Sequence, residues 1–275
     1  MGHQPADFII WNTDPTLIAF AGLDIRWYGA LFAVAYLLGY QIMHWIYQRE
    51  GRDTQHLERL SIYLMIGAIV GARLGHCLFY DPGYYLSHPL KIPAFWEGGL
   101  ASHGGGLGIL LALYLYKRQS GESYLWLLDR FAIPTALAGA FIRLGNLFNS
   151  EIYGIPTTVP WAIVFERVDA LPRHPAQLYE AAAYALIFIT LFVLYRSSPV
   201  RSKPGLTFGL FLVAVFSARF TIEFVKSKQA AYSTDLWMGT GQILSLPFIA
   251  AGLVLIVLAL KSADIETTVS KAGET

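Results

Sequence analysis

GQILSLPFIAAGLVLIVLAL, residues 241–260, runs for twenty residues without one charged side chain. At 1.5 Å of rise per residue, that is the length an α-helix needs to cross the hydrocarbon core of a bilayer. Working outward from it, six further stretches qualify: roughly 26–47, 58–80, 98–116, 124–148, 176–195 and 205–225. Helices are the form to expect, because lipid offers no water to unpaired backbone groups. The expected fold is an all-α membrane protein with seven transmembrane helices. It forms one integral domain over residues 1–261, followed by a polar, flexible tail at 262–275.

Composition agrees. Of 275 residues, 55% are hydrophobic and 14% charged, whereas a soluble domain carries about 25% charge. Mean hydropathy is +0.46. Twenty Lys+Arg against 19 Asp+Glu leave a net charge of +1. That excludes a disordered chain and gives no basic surface for nucleic acid. The single cysteine, Cys77, excludes an internal disulfide framework and Cys-based zinc clusters, and it reads as a packing residue. No HExxH, Walker loop, Rossmann fingerprint or paired-acid metal motif occurs, so neither metal nor cofactor is expected. The first 25 residues lack the basic start and apolar run of a cleavable signal. Within them DFIIWNTDPTLIAF (7–20) reads as a short interfacial segment. No internal repeat is visible.

Lys and Arg in short loops mark the cytoplasmic side. Arg49, Arg52, Lys117, Arg118, Arg196, Arg201, Lys203, Lys261 and Lys271 fall in the tail or after spans one, three and five. Lys91, Arg167, Arg173, Lys226 and Lys228 fall after the even spans. The excess puts the N-terminus outside and the C-terminus inside, although Lys226 and Lys228 sit at a span end on the outer side, against the rule. Trp27, Trp45, Trp96, Trp126 and Trp237 lie near span ends, as interfacial belts require.

Charges inside spans are costly and mark either function or a paired structural contact. With this orientation most of them fall in the outer half. Tyr28 opens span one. Arg73 and His76 lie in the outer half of span two, and His103 just inside the outer end of span three. Arg143 and Asn146 close span four, with Glu151 in the loop beyond it. Gln177, Tyr179 and Glu180 begin span five, and Arg219 and Glu223 close span six. This convergence implies one polar cavity open toward lipid headgroups. Asp129 and Arg130 are exceptions near the inner end of span four. They read as structural, their polar heads snorkelling to the inner interface.

Arg143 and Arg219 suit an anionic oxygen cluster, because guanidinium pairs with phosphate bidentately and keeps its charge in a dry site. Glu223 follows Arg219 by four residues on one helical face. Glu151 and Glu180 are both candidate partners of Arg143, and all these charges also admit a reading as helix–helix ion pairs. Arg73 admits a structural and a ligand-binding reading alike. His103, in SHGGG (102–106), is the side chain best suited to take a proton near neutral pH, and glycines 104–106 permit close approach of a backbone or a lipid. The same motif resembles an esterase oxyanion loop, but no G-x-S-x-G accompanies it. The Pro- and aromatic-rich stretch at about 149–175 is too long for a simple connection and is expected to form a small periplasmic lid.

Several segments, in one order from about residue 20 to 260, resemble the bacterial prolipoprotein diacylglyceryl transferase family. They are RWYG (26–29), GARLGHCLFYDP (71–82), FWEGGLASHGGGLG (95–108), RLGNLFNSEIYG (143–154), LPRHPAQLYE (171–180), SARFTIEFVK (217–226) and MGTGQILSLPF (238–248). Two departures are small: GARLG where members often carry GGR, and SHGGG where they carry FHGG. The resemblance implies transfer of the diacylglyceryl group of phosphatidylglycerol to the lipobox cysteine of a prolipoprotein, with release of glycerol 1-phosphate. The implied location is the bacterial inner membrane, and the implied partners are that lipid and the prolipoprotein signal peptide with its lipobox. It carries site roles onto Tyr28, His103, Arg143, Asn146, Glu151, Gly154, Arg219 and Glu223. The alternative is a transporter whose arginines bind an anionic cargo, which predicts polar groups through both leaflets or paired broken helices. A purely structural membrane scaffold would need no clustered arginines.

Overall fold

The computed structural model describes residues 8–20, 23–95, 98–227 and 238–272. Trp96, Lys228 and Trp237 lie outside the described residues. The long helices are α1 (Trp27–Arg49), α2 (Gln55–Phe79), α4 (Ser102–Ser120), α5 (Tyr124–Phe148), α6 (Ala176–Arg196), α8 (Leu206–Ile222) and α9 (Thr240–Ala272). The short helices α3 (Pro82–Ser87) and α7 (Ser198–Arg201) lie in connections. Six of the long helices are long and apolar enough to cross a membrane: α1, α2, α5, α6, α8 and α9. The nineteen-residue α4 falls short of the seventh expected span on composition. SHGGG at its start and KRQS at its end dilute a central run of Leu, Ile and Tyr. Many large apolar side chains on these helices stand exposed, such as Leu37, Ile66, Leu111 and Leu253. A lipid environment covers such a surface, and water does not.

The chain is mostly helical, but it is not all-α. Five short strands occur among the described residues. Strands β2 (Thr16–Phe20) and β3 (Leu23–Arg26) form an antiparallel hairpin that leads into α1. Strand β1 (Ile9–Trp11) pairs in parallel with β4 (Ile163–Phe165), which pairs antiparallel with β5 (Pro172–Arg173). So the described part of the 7–20 stretch carries strands at Ile9–Trp11 and Thr16–Phe20, and the region between α5 and α6 is partly sheet. Each strand is too short for its alternation to be legible, and the β1–β4 pairing joins residues about 150 apart in sequence.

Two compact units make up the chain. One comprises the residues up to Gly39 together with those from Asp129 onward, and the other comprises Tyr40–Leu128.

In the Tyr40–Leu128 unit, α2 and α4 pack through facing glycines. A methyl group on Gly67 would lie 2.6 Å from the Gly108 carbonyl oxygen, and one on Gly75 would lie 2.8 Å from Gly104 Cα. Methyls on Gly71, Gly104 and Gly108 would strike the opposite backbone as well. Small residues every four positions let two helices touch along their backbones. The glycines flanking His103 therefore serve helix approach at 104 and 108, while Gly106 faces open space. Cys77 is buried, as its packing role requires.

In the other unit, Leu147, Ile163 and Phe165 form a small apolar core with Trp11, Tyr153, Val168 and Leu178 packed on it. Helices α8 and α9 cross where Gly209 meets Gly252, and Phe216 stacks on Phe248 at 4.3 Å. Asp129 does not snorkel. It is 1% exposed, and its carboxylate accepts from the backbone N–H groups of Gly205 (2.6 Å) and Phe208 (2.8 Å), capping the start of α8. Arg130 is buried beside it and donates to the Arg201 carbonyl at 3.2 Å.

Candidate active site

The last turn of α5 carries the densest set of polar groups. Arg143 and Asn146 are three residues apart on one helical face, and Arg143 Nη1 donates to Asn146 Oδ1 at 3.1 Å. Asn146 Nδ2 donates onward to Glu151 Oε1 at 2.8 Å, and Asn149 Nδ2 donates to the same oxygen at 3.1 Å. The chain returns sharply after α5 to make this possible. Ser150 (φ 54°) and Ile152 (φ 60°) both take the left-handed conformation without being glycine. For a β-branched residue such backbone costs about 1–3 kcal/mol and persists only where its surroundings over-determine it. Here the Glu151 N–H donates to the Asn146 carbonyl at 3.0 Å, and the Glu151 carbonyl accepts from Nε2 of the fully buried Gln177 at 2.8 Å.

The partner of Arg143 is Glu180. Arg143 Nε lies 2.9 Å from Glu180 Oε2, and the Glu180 side chain is 1% exposed. The other oxygen, Oε1, lies 3.3 Å from Lys226 Nζ. One carboxylate on α6 thus bridges a guanidinium on α5 and an ammonium just beyond α8. The Tyr28 ring lies against Gly145, where a methyl would come within 2.7 Å of its Cδ2, and the charges of Arg143 and Glu151 both act on its hydroxyl. Tyr184, one turn beyond Glu180, faces Arg143 and Arg219. Neither Tyr184 nor Lys226 stands out in the sequence as a site residue. Tyr184 is one of 16 tyrosines, and Lys226 reads as a loop charge.

Glu223 does not pair with Arg219, despite the favourable four-residue spacing. Its Oε1 accepts from the Gly241 N–H at 3.3 Å, at the start of α9, and its Oε2 lies 3.9 Å from Lys226 Nζ. The half-buried Arg219 makes no hydrogen bond or ion pair among the described residues. Gly154 sits at a crossing that no side chain fits. A methyl there would fall 2.5 Å from the Val225 carbonyl oxygen and 2.5 Å from His174 Cβ.

The Tyr40–Leu128 unit holds the remaining residues singled out in the sequence. Arg73 is 4% exposed, and four of its five N–H groups go to carbonyl oxygens: Nε to Ile92 (2.8 Å), Nη1 to Gly98 (2.5 Å) and Gly99 (3.2 Å), and Nη2 to Lys91 (2.7 Å). That arrangement ties down the segment before α4. His76 lies under Gly99 and stacks on Tyr80. His103 stands exposed in the first turn of α4.

Among the described residues no cluster of His, Cys, Asp and Glu is fit to hold a metal ion. Two arginines and a lysine stand among three carboxylates, Glu151, Glu180 and Glu223, and the Arg219 guanidinium has no partner among the described residues.

A family model described as prolipoprotein diacylglyceryl transferase matches residues 15–258. A phosphatidylglycerol–prolipoprotein diacylglyceryl transferase of Tolumonas auensis is 56% identical over 92% of this chain and 98% of its own length. Its namesake in Chloroherpeton thalassium is 47% identical over 96% and 98%, and that of an Azoarcus species is 39% identical over 88% and 94%. On this evidence the chain belongs to the prolipoprotein diacylglyceryl transferase family.

Proposed function

We propose that this multi-pass membrane enzyme transfers the diacylglyceryl group of phosphatidylglycerol to the lipobox cysteine of a prolipoprotein and releases glycerol 1-phosphate. The observation that carries the reading is Arg219, a half-buried guanidinium that has no counter-charge among the described residues, in the same site as Arg143, whose Nε is paired with Glu180. Such a group is a ready partner for a phosphodiester.

In this reading the phosphate of the lipid lies against Arg143 and Arg219. The substrate thiol attacks the glyceryl carbon that bears the phosphate ester. The new C–S bond forms as the C–O bond breaks, and the electron pair leaves with the phosphate oxygen. The thiol proton passes to the His103 imidazole, directly or through water. The two guanidinium groups offset the charge that develops on the departing glycerol phosphate. Tyr28 and Asn146 orient the headgroup by hydrogen bonds. Glu151 braces Asn146, Glu180 braces Arg143, and Glu223 belongs to the same charged set. Arg73 serves by holding the carbonyls of Lys91, Ile92, Gly98 and Gly99. The reading also takes α4 as a seventh span, the 149–175 segment as a periplasmic lid, the N-terminus as periplasmic and the C-terminus as cytoplasmic in the bacterial inner membrane.

The test is direct. Purified protein is incubated with phosphatidylglycerol vesicles and a lipobox peptide, and the peptide is weighed by mass spectrometry. The cysteine should gain one diacylglyceryl mass. Arg143→Ala and His103→Ala should each lower the rate roughly 100-fold or more while the protein still inserts. Full activity of the His103→Ala enzyme would remove His103 from the mechanism.

A further inference from the structure

Lys226 is the residue that the loop-charge rule accommodates least, and the structure gives it an occupation. Its side chain is 11% exposed, and its Nζ lies between Glu180 (3.3 Å) and Glu223 (3.9 Å). Its backbone is clamped on both sides. Lys226 bridges Gly154, the Ile155 N–H donates to the Val225 carbonyl at 2.9 Å, and the Ser227 N–H donates to the Tyr153 carbonyl at 3.1 Å. The Ser227 hydroxyl donates to the Gly154 carbonyl at 2.7 Å. Gly154 admits this segment because a methyl group would collide with it.

Arg219 and Glu223 stand four residues apart, a spacing at which opposite charges on a helix normally pair. Here Glu223 is turned to Lys226 and to the Gly241 amide at the start of α9 instead. We infer that Lys226 is a positioning residue that holds Glu223 and Glu180 away from Arg219, so that the Arg219 guanidinium stays open to the anionic headgroup. Gly154 then acts through Lys226, as the point where its strand docks. This inference rests on the proposed phosphate role of Arg219.

The charged groups facing the ammonium are Glu180 on α6, Arg143 on α5, and Arg219 and Glu223 at the end of α8. Burial pushes Lys226 below the usual lysine range. Glu180 opposes that shift, and Arg143 and Arg219 add to it. Its charge is present at low pH and lost as pH rises through that lowered value, earlier than for an exposed lysine. An arginine at the same place would keep its charge throughout.

The experiment compares the wild-type enzyme, Lys226→Met and Lys226→Arg in full-length form, using phosphatidylglycerol vesicles and the lipobox peptide. Lys226→Met should raise KM for the lipid about tenfold with a smaller change in kcat. Lys226→Arg should restore KM and carry activity to higher pH than wild type. Wild-type kinetics in Lys226→Met, or an arginine variant no better than the methionine one, would overturn the inference. If Lys226→Met does not fold, the alkaline limb of Lys226→Arg decides alone, and an unmoved limb counts against Lys226. Absence of transfer by the wild-type enzyme would instead defeat the reading of the site itself.

Discussion

Removing the carboxylate of Glu180 would strand two cations at once, Arg143 and Lys226. Breaking a buried ion pair from one side costs about 3–5 kcal/mol, because the remaining charge is left without compensation. Glu180→Gln should therefore lower the thermal midpoint in detergent substantially. Glu151→Gln, whose carboxylate is held by the neutral amides of Asn146 and Asn149, should cost less, about 1–2 kcal/mol. Equal losses in the two variants would show that the Arg143–Glu180 pair has no special weight. The sequence contained both glutamates as candidates but had no means to choose between them. Glu151 is near Arg143 along the chain, whereas Glu180 reaches it only because α6 returns alongside α5. The expectation that Glu223 partners Arg219 misses for the opposite reason. Helical spacing permits that pair, but α8 ends in a short 3-10 turn at Glu223–Val225, and the carboxylate finds α9 and Lys226 instead.

Two helices were legible almost to the residue, whereas α4 begins four residues later than the expected 98 and α9 runs on to Ala272, through the expected tail. The expected spans at 124–148 and 176–195 appear as Tyr124–Phe148 and Ala176–Arg196, since a run of twenty apolar residues has no other stable form in lipid. The glycine contacts of α2 with α4 were legible only as permissive positions, and which backbone they admit was not. They make a sharp prediction. Gly71→Ala and Gly108→Ala should each destabilise the protein by about 1–3 kcal/mol through overpacking, whereas Gly106→Ala, with nothing within 4 Å, should stabilise it by up to about 1 kcal/mol. Thermal unfolding of the three variants is the check. The strands escaped sequence reading because two to five residues cannot display a period. In the β4–β5 sheet, Arg173 holds Asp169 through contacts of 2.5 and 3.2 Å, and this hydrogen bonding keeps the Asp169 carboxyl below the ordinary aspartate range. A depressed carboxyl stabilises at neutral pH and ceases to do so as pH falls through its folded value. The protection of the amides at 163–173, relative to their intrinsic exchange rates, should therefore fall on acidification below about pH 4. Asp169→Asn should already exchange faster at neutral pH.

For the whole molecule, the parity of crossings decides where the termini lie. Six spans leave both termini on one side of the membrane, and seven put them on opposite sides. Single cysteines placed at Ser123 and at Leu100 flank α4, and labelling with a membrane-impermeant maleimide in a Cys77→Ala background distinguishes the two counts. Opposite accessibility establishes α4 as a crossing, and equal accessibility leaves six. The charge asymmetry of the loops, the main topological signal in the sequence, is sharpened once Lys226 is seen to be an interior ion rather than an outer-loop charge, because it drops out of the minority set. The touching backbones of α2 and α4 carry one more consequence. Fatty-acyl tails need a gap to slide through, and a seam whose facing atoms leave no room even for a methyl offers none. Those two helices must travel as a single plank, and a lipid entering or leaving the enzyme sideways has to use some other gate.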